Sequence, residues 1–184
     1  MILVLIKPKW QKLQKGNQCD MKFHNITKDD MLNGEGLRVV LWVSGCTHHC
    51  KDCHNPITWD IDSGVDFDEN AKAEIFEQLD KDYINGITLS GGDPLHPCNI
   101  WDIGNFVEEI KSKYPNKTIW LYTGFLWEEV RRLPFMQYID VLVDGKFILE
   151  LKNVKYHWAG STNQRVIDVK KSLDTSEVVL YDNK

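Results

Sequence analysis

Short apolar runs, separated by segments with helical periodicity, constrain the fold of this chain more than any other feature. The runs are rich in β-branched residues and nearly free of polar ones; they are Leu37–Val43, Ile87–Leu89, Thr118–Tyr122 and Ile139–Val143. Such runs are typical of strands buried on both faces, as in parallel sheets. Strands that alternate with helices predict parallel strands joined by right-handed crossovers.

The segments between these runs supply the predicted helices. Asp66 and Asp68 offer N-caps to a helix of about a dozen residues. A second helix is predicted from near Asn99 to Tyr114, where one stripe of apolar residues recurs until a proline ends it. A fifth apolar run, Val166–Val169, brings the predicted strands to four or five.

The length of the chain limits how these units can close. A complete eight-unit barrel requires roughly 200 residues or more, and the chain has 184. The expected fold class is therefore α/β: an incomplete, partial TIM-like βα barrel with a mainly parallel sheet, open along one side. In such folds the loops at the carboxyl ends of the strands build the functional site.

The first residues differ in composition from the rest. Residues 1–20 carry four lysines and a single acidic residue, Asp20. We interpret residues 1–20 as a leader of doubtful structure and residues 21–184 as a single domain that begins near Met21. The apolar stretch Met1–Ile6 is too short to span a bilayer and lacks the features of a secretory signal.

Charge and cysteine usage narrow the class of function. The formal net charge of −5 argues against a general nucleic-acid surface. Three clustered cysteines and two distant ones, Cys19 and Cys98, do not form a disulfide framework, so we expect a soluble protein of the reducing cytoplasm without a membrane partner. Cys19 and Cys98 are expected to be small buried apolar residues.

The clustered cysteines follow the first strand directly. They are spaced Cys-x3-Cys-x2-Cys, at Cys46, Cys50 and Cys53. Thiolates are soft ligands that select Fe–S clusters, zinc or cuprous copper. A structural site is closed by four ligands, whereas a site that performs chemistry keeps one position open. Three cysteines on a four-iron cluster would leave one iron free for another ligand.

A zinc site is the alternative, with His48, His49 or His54 as the fourth ligand. Zinc loops usually come as paired Cys-x2-Cys knuckles, and the sequence has no second knuckle. The spacing therefore favours an iron–sulfur cluster, but a zinc-stabilised binding module without catalysis remains an open alternative.

A glycine loop follows the second strand, at Ser90–Pro94. The cysteine loop and the glycine loop come after consecutive parallel strands, so we expect them to lie side by side. Three further features have no role fixed by the sequence. Arg38 is a candidate for a buried ion pair, Asp144 is either functional or part of a turn, and the Trp158–Arg165 loop either contacts a partner or plugs the end of the barrel.

Several segments resemble the radical S-adenosylmethionine (SAM) superfamily and, within it, the activating proteins of anaerobic (class III) ribonucleoside-triphosphate reductases. The resemblance covers most of residues 21–168. The segments that carry it are Asn33–Arg38, Val43–Cys46, His54–Asn55, Leu89–Pro97, Tyr122–Phe125, Asp140–Phe147 and Gly160–Arg165.

The resemblance implies the roles of individual residues. The implied ligands of a [4Fe–4S] cluster are the three loop cysteines, Cys46, Cys50 and Cys53. The implied contacts to SAM come from both loops: Asp52, Cys53 and His54 at the nucleoside, Gly91 and Gly92 at the methionyl part. Many members carry an aromatic residue before the third cysteine, where this chain has Asp52, so the adenine must be held by another group.

The resemblance also implies the reaction. A flavodoxin-type donor would reduce the cluster, SAM would be cleaved to methionine and a 5′-deoxyadenosyl radical, and that radical would generate a glycyl radical on the large reductase subunit. The cofactor carries the difficult step, and no side chain is assigned as catalytic. The nearest alternative is a radical SAM enzyme that acts on a small molecule, similar to a deazapurine synthase.

Overall fold

Seven strands form one mixed sheet in the computed structural model, which describes residues 19–182. The strands are β1 Lys22–Asp30, β2 Arg38–Val43, β3 Val65–Asp66, β4 Gly86–Gly91, β5 Thr118–Tyr122, β6 Val141–Asp144 and β7 Arg165–Asp168. Their order across the sheet is β3-β1-β2-β4-β5-β6-β7. The central strands β2, β4, β5 and β6 are parallel, as predicted. The outer pairs are antiparallel.

Four α-helices accompany the sheet in this part of the chain: α1 Glu69–Leu79, α2 Ile100–Lys113, α3 Trp127–Val130 and α4 Val169–Thr175. The carboxylate of Asp68 caps α1 by accepting from the backbone N–H groups of Asn70 and Ala71, which confirms one of the two predicted caps. The other, Asp66, lies in β3 instead. Among residues 19–182, no helix is long and apolar enough to cross a membrane.

The two faces of the sheet have different coverings. Alternate residues of β2, namely Val39, Leu41 and Val43, belong to the large apolar core. The helices supply the other side of that core through Ile75, Leu79, Ile103, Phe106, Val107 and Ile110. The opposite face carries a small cluster around Trp120, Val141, Val143 and Val166. We call the face that packs against the helices the helix face, and the face that carries the Trp120 cluster the inner face.

Three elements were not predicted: β1, β3 and α4. β1 has the sequence Lys-Phe-His-Asn-Ile-Thr-Lys-Asp-Asp, and only Ile26 in it is buried. A strand near the edge of a sheet needs few apolar residues, so its sequence lacks the signal of a buried strand. The fifth predicted run corresponds to β7, which pairs antiparallel with β6, so the sheet is mainly parallel, as predicted, with antiparallel outer pairs.

The N-terminal region gives one correction. Most of the predicted leader lies outside the described residues. Cys19 and Cys98 were expected to be isolated, buried apolar residues, and this is wrong. They form a disulfide, with their Cα atoms 5.4 Å apart. A pairing between residues 79 positions apart depends on the tertiary fold and leaves no local mark in the sequence.

Candidate metal centre

The cysteine loop begins where β2 ends and is closed by hydrogen bonds between its two ends. The N–H of Gly45 donates to the carbonyl of Thr58 (2.8 Å), and the N–H of Cys46 donates to the carbonyl of Trp59 (3.0 Å). Gly45 has a φ of +94°, a conformation that glycine adopts at little cost. A short 3-10 helix, Pro56–Thr58, completes the return. The loop is therefore held in shape by the backbone of the protein.

Cys46, Cys50 and Cys53 line one cavity of about 990 Å³. All three are free and partly buried. Burial raises the pKa of the Cys46 and Cys50 thiols. A metal centre that binds here must therefore displace their protons.

The donor set fits an iron–sulfur cluster. Among residues 19–182, no three His, Cys, Asp or Glu side chains are close enough together to hold a single metal ion. A multi-iron cluster is held by cysteine thiolates on separate irons, so its ligands need not meet at one point. Three thiols that face one cavity provide the soft ligands that such a cluster requires.

The glycine loop lies beside the cysteine loop, as predicted. The N–H of Gly92 donates to the carbonyl of Val43 (2.8 Å), and the N–H of Asp93 donates to that of Gly45 (2.7 Å). A Cβ on Gly91, whose φ is +107°, would lie 2.6 Å from the backbone of Val43, and a Cβ on Gly92 would lie 2.5 Å from the Gly45 carbonyl oxygen. Both glycines line the cavity, and they are also needed for the two loops to touch.

A buried carboxylate links the two loops to the end of β5. Asp93 is 1% exposed, and its Oδ2 lies 2.7 Å from Nε2 of His48. The hydroxyl of Thr123 lies 2.9 Å from each carboxylate oxygen, and the N–H groups of Gly124 (3.0 Å) and Leu95 (2.8 Å) donate to the same carboxylate. The contact between Asp93 and His48 was not predicted, and His48 was considered only as a zinc ligand. The available signal was an aspartate directly after two glycines at a strand end.

The predicted nucleoside contacts are only partly brought together. Cys53 and His54 line the cavity, and the ring of His54 lies 6.0 Å from that of Phe147, which also lines it. Asp52 is exposed, adopts a φ of +54° and is not part of the cavity wall. Among the candidate zinc ligands, His48 is engaged by Asp93, and His49 packs edge-on against Trp59 at 4.9 Å.

Asp144 has a structural partner. Its carboxylate is fully buried and accepts from Nε of Arg165 (3.0 Å) and from the N–H of Trp127 (2.7 Å). Arg165 also donates to both carboxylate oxygens of Glu128. These two carboxylates raise the pKa of Arg165. Asp144 therefore joins β6 to β7 and α3.

Arg38 forms no ion pair with a described residue, so the predicted carboxylate partner is wrong. Its guanidinium is fully buried, and burial lowers its pKa to about 10. Its five N–H groups all have acceptors. Three donate to the backbone carbonyls of Glu35, Ile87 and Thr118. The other two donate to the hydroxyls of Thr88 and Thr118. A buried charge is tolerated when its hydrogen bonds are satisfied.

The Trp158–Arg165 loop covers part of the inner face. The ring of Trp158 lies 4.8 Å from that of Trp120 and 5.9 Å from that of Tyr181. The Gln164 side chain accepts from the N–H of Gly160 (2.9 Å) and donates to the carbonyl of Gly145 (2.9 Å). This loop packs against the protein itself, as a plug would.

Comparisons with known proteins agree with this arrangement. A family described as a 4Fe-4S single cluster domain matches residues 32–167. Three relatives are each named anaerobic ribonucleoside-triphosphate reductase-activating protein. That of Enterobacteria phage T4 is 44% identical over 146 residues, which is 79% of this chain and 93% of the relative. The relative from Haemophilus influenzae is 45% identical over 148 residues, which is 78% of this chain and 96% of the relative. The relative from Escherichia coli K12 is 42% identical over 150 residues, which is 79% of this chain and 97% of the relative.

The chain belongs to this family of reductase-activating proteins. The family predicted from the sequence is thereby confirmed, and with it a 4Fe–4S domain. The matched residues 32–167 include all three cysteines of the cavity. A zinc-stabilised binding module and a small-molecule enzyme are set aside, because the family carries a 4Fe–4S domain and is named for a reductase.

Proposed function

We propose that the protein activates an anaerobic ribonucleoside-triphosphate reductase as a radical SAM enzyme. Cys46, Cys50 and Cys53 bind the [4Fe–4S] cluster, and the large reductase subunit is the substrate. The observation that carries the proposal is the cavity shared by three free cysteines and the Gly91–Gly92 loop, in a chain of the activating-protein family.

When bound, the cluster would supply the one electron for cleavage of SAM to methionine and a 5′-deoxyadenosyl radical, which would take a hydrogen atom from a glycine Cα of the reductase. The residues of the chain contribute binding and orientation. Cys46, Cys50 and Cys53 would hold the cluster, and a cluster with only three protein ligands would keep one position free for SAM. Gly91 and Gly92 line the same cavity as the three cysteines, and their backbone would contact the methionyl part.

We assign the nucleoside to the side of the cavity formed by Cys53, His54 and Phe147. Asp52 is not part of the cavity wall, so in this proposal the aromatic contact that other members place at its position comes from Phe147 and His54. Aromatic faces are suitable surfaces for stacking a base. In this proposal the contact from Asp52 is limited to its backbone.

The surrounding fold supports the same function. The parallel strands β2, β4, β5 and β6 form the wall of a partial barrel of the radical SAM type, and the inner face is its interior. The open side admits a polypeptide. The electron donor is a small flavodoxin-type protein, and the setting is the cytoplasm. The three cavity cysteines are free thiols, as a reducing compartment requires, although the chain also carries the Cys19–Cys98 disulfide, which is uncommon there.

An anaerobic assay with the natural reductase tests the proposal. The protein is reconstituted with iron and sulfide, reduced, and incubated with SAM with and without the reductase. We expect 5′-deoxyadenosine and methionine in equal amounts, and a glycyl radical signal in the reductase by electron paramagnetic resonance. A reconstituted protein with full iron and sulfide that forms neither product refutes the proposal.

A further inference from the structure

A hairpin with an exposed tip forms part of the cavity wall. It spans residues 152–161 and is closed by an antiparallel bridge between Lys152 and Ser161. The N–H of Asn153 donates to the carbonyl of Gly160 (3.1 Å), and the N–H of Lys155 donates to Oδ1 of Asn153 (2.9 Å). We call residues 152–161 the rim hairpin. These hydrogen bonds restrict the conformations of its tip, and a restricted segment loses less entropy when it binds a partner.

The tip of the rim hairpin is apolar and exposed. Val154 is 87% exposed and Tyr156 is 37% exposed, and both line the cavity. The loop between β1 and β2 adds Met31 at 71% and Leu32 at 82%, and these also line the cavity. Exposed apolar residues gathered around one opening mark an interaction site.

The same hairpin carries unneutralised positive charge. Lys152 and Lys155 are exposed, and neither has a described carboxylate within ion-pairing distance. Most lysines elsewhere in residues 19–182 do have one: Lys22, Lys28, Lys72, Lys111, Lys113, Lys170 and Lys171. The chain as a whole has a net charge of −5. The rim hairpin is therefore a local cationic surface on an acidic protein, and it is complementary to carboxylates.

We propose that the rim hairpin, together with Met31 and Leu32, docks an extended, carboxylate-bearing segment of the reductase that flanks the glycine to be activated. The inference rests on the proposed function and names the surface that the partner uses. The glycine Cα has to enter the cavity through its mouth, so the residues on either side of the glycine meet the rim. Apolar side chains of the segment contact Val154, Tyr156 and the β1–β2 loop, and its carboxylates pair with the lysines.

A pair of double variants tests the proposal. In the first, Val154→Asp and Lys155→Glu place negative charge on the rim. In the control, Val65→Asp and Lys170→Glu make the same changes at positions that are 58% and 68% exposed and lie outside the cavity wall. Lys170→Glu also removes the surface pair with Asp140 (3.4 Å), so the thermal midpoint of the control is compared with that of the wild type before binding is measured. Anaerobic titration calorimetry with the reductase then gives the dissociation constant. We expect the rim variant to bind at least tenfold more weakly, about 1.4 kcal/mol, and the control to bind as the wild type does.

Ionic strength supplies a second readout. Raising it from about 0.05 M to about 0.3 M shortens the range of charge interactions, so wild-type affinity should fall, and the affinity of the rim variant should change little. A photo-crosslinking residue placed at Val154 should label a reductase peptide that contains Asp or Glu, whereas the same residue at Val65 should label none. A labelled peptide without acidic residues overturns the assignment of the partner's charge.

The two proposals fail in different ways. If the wild-type protein forms no glycyl radical, the proposed function is wrong. If the wild-type protein forms the radical and the rim variant, with the same thermal midpoint and iron content, binds the reductase as tightly as the control does, only the docking inference is wrong.

Discussion

The two faces of the central sheet are built from the same strands but do different work. On the helix face, Leu41, Leu89 and Leu121 are fully buried against helices. On the inner face, Trp42, Ser90 and Tyr122 line the cavity. Because side chains alternate along a strand, each central strand supplies stability on one side and a binding surface on the other.

Two buried charged groups at the inner face and its edge have their hydrogen bonds satisfied. The Arg38 guanidinium uses all five N–H groups, and the Asp93 carboxylate has four partners. The helix face needs no such matching, since its buried contacts are apolar. Substitutions on the helix face should therefore change stability, and substitutions at the cavity should change metal content and activity.

The largest expected effect belongs to the cavity. Cys50→Ala removes one of three thiolates, so the cluster should be lost and SAM cleavage abolished, while the free energy of unfolding of the metal-free protein changes little. Iron and sulfide analysis after anaerobic reconstitution, together with an assay for 5′-deoxyadenosine, measures this. A variant that retains wild-type cleavage would mean that Cys50 is not a ligand.

Truncating a side chain on the helix face should lower the stability of the protein and leave its iron content unchanged. Leu89→Ala leaves a cavity in the apolar core and should lower the free energy of unfolding by about 2–5 kcal/mol, with unchanged iron per folded molecule. Urea denaturation measures the stability. Leu32→Ala is the control: Leu32 is 82% exposed, and the change should stay within about 0.5 kcal/mol. Equal effects from both variants would contradict the division between the faces.

The buried carboxylate should affect both properties to a smaller extent. Asp93→Asn keeps the shape but replaces one acceptor oxygen with an amide group, so hydrogen bonds to His48, Thr123 or Gly124 are lost. We expect a loss of about 1–3 kcal/mol in stability and a lower iron content when iron is limiting. Asp62→Asn, at an exposed aspartate, is the control. Unchanged iron content in Asp93→Asn would show that this carboxylate does not position the cysteine loop.

The smallest effect is expected outside the cavity. Cys98→Ala opens the bond to Cys19 but removes no cavity thiol, so iron and sulfide content and the yield of 5′-deoxyadenosine should match the wild type. The same analysis as for Cys50→Ala measures this. A strong loss of cluster in Cys98→Ala would mean that the set of ligands has been counted wrongly.

The central strands and the two main helices could be predicted because their sequences carry local signals. Thr118–Tyr122 has the predicted bounds of β5, and Asp68 is the predicted cap of α1. The neighbouring positions of the cysteine and glycine loops also followed from the order of the strands, since parallel strands bring their carboxyl ends to one edge. In each case the information lies within one element or in the sequence of elements.

The remaining features depend on distant contacts. The sequence does not show that Asp93 reaches His48, 45 residues away, or that Arg38 finds hydroxyls and carbonyls in place of a carboxylate. Polar strands such as β1 lack a pattern because only Ile26 of that strand is buried. The rim hairpin was not predicted either, because its exposed tip has no hydrophobic periodicity. Its closure depends on an antiparallel bridge between Lys152 and Ser161.

The backbone closure of the cysteine loop has a consequence for a centre that oxygen destroys. The hydrogen bonds from Gly45 to Thr58 and from Cys46 to Trp59 are independent of any iron. The loop therefore keeps its outline when the inorganic part is lost, and the polypeptide remains as a scaffold for renewed assembly. We therefore expect a protein that has lost its iron to take up iron and sulfide again without refolding.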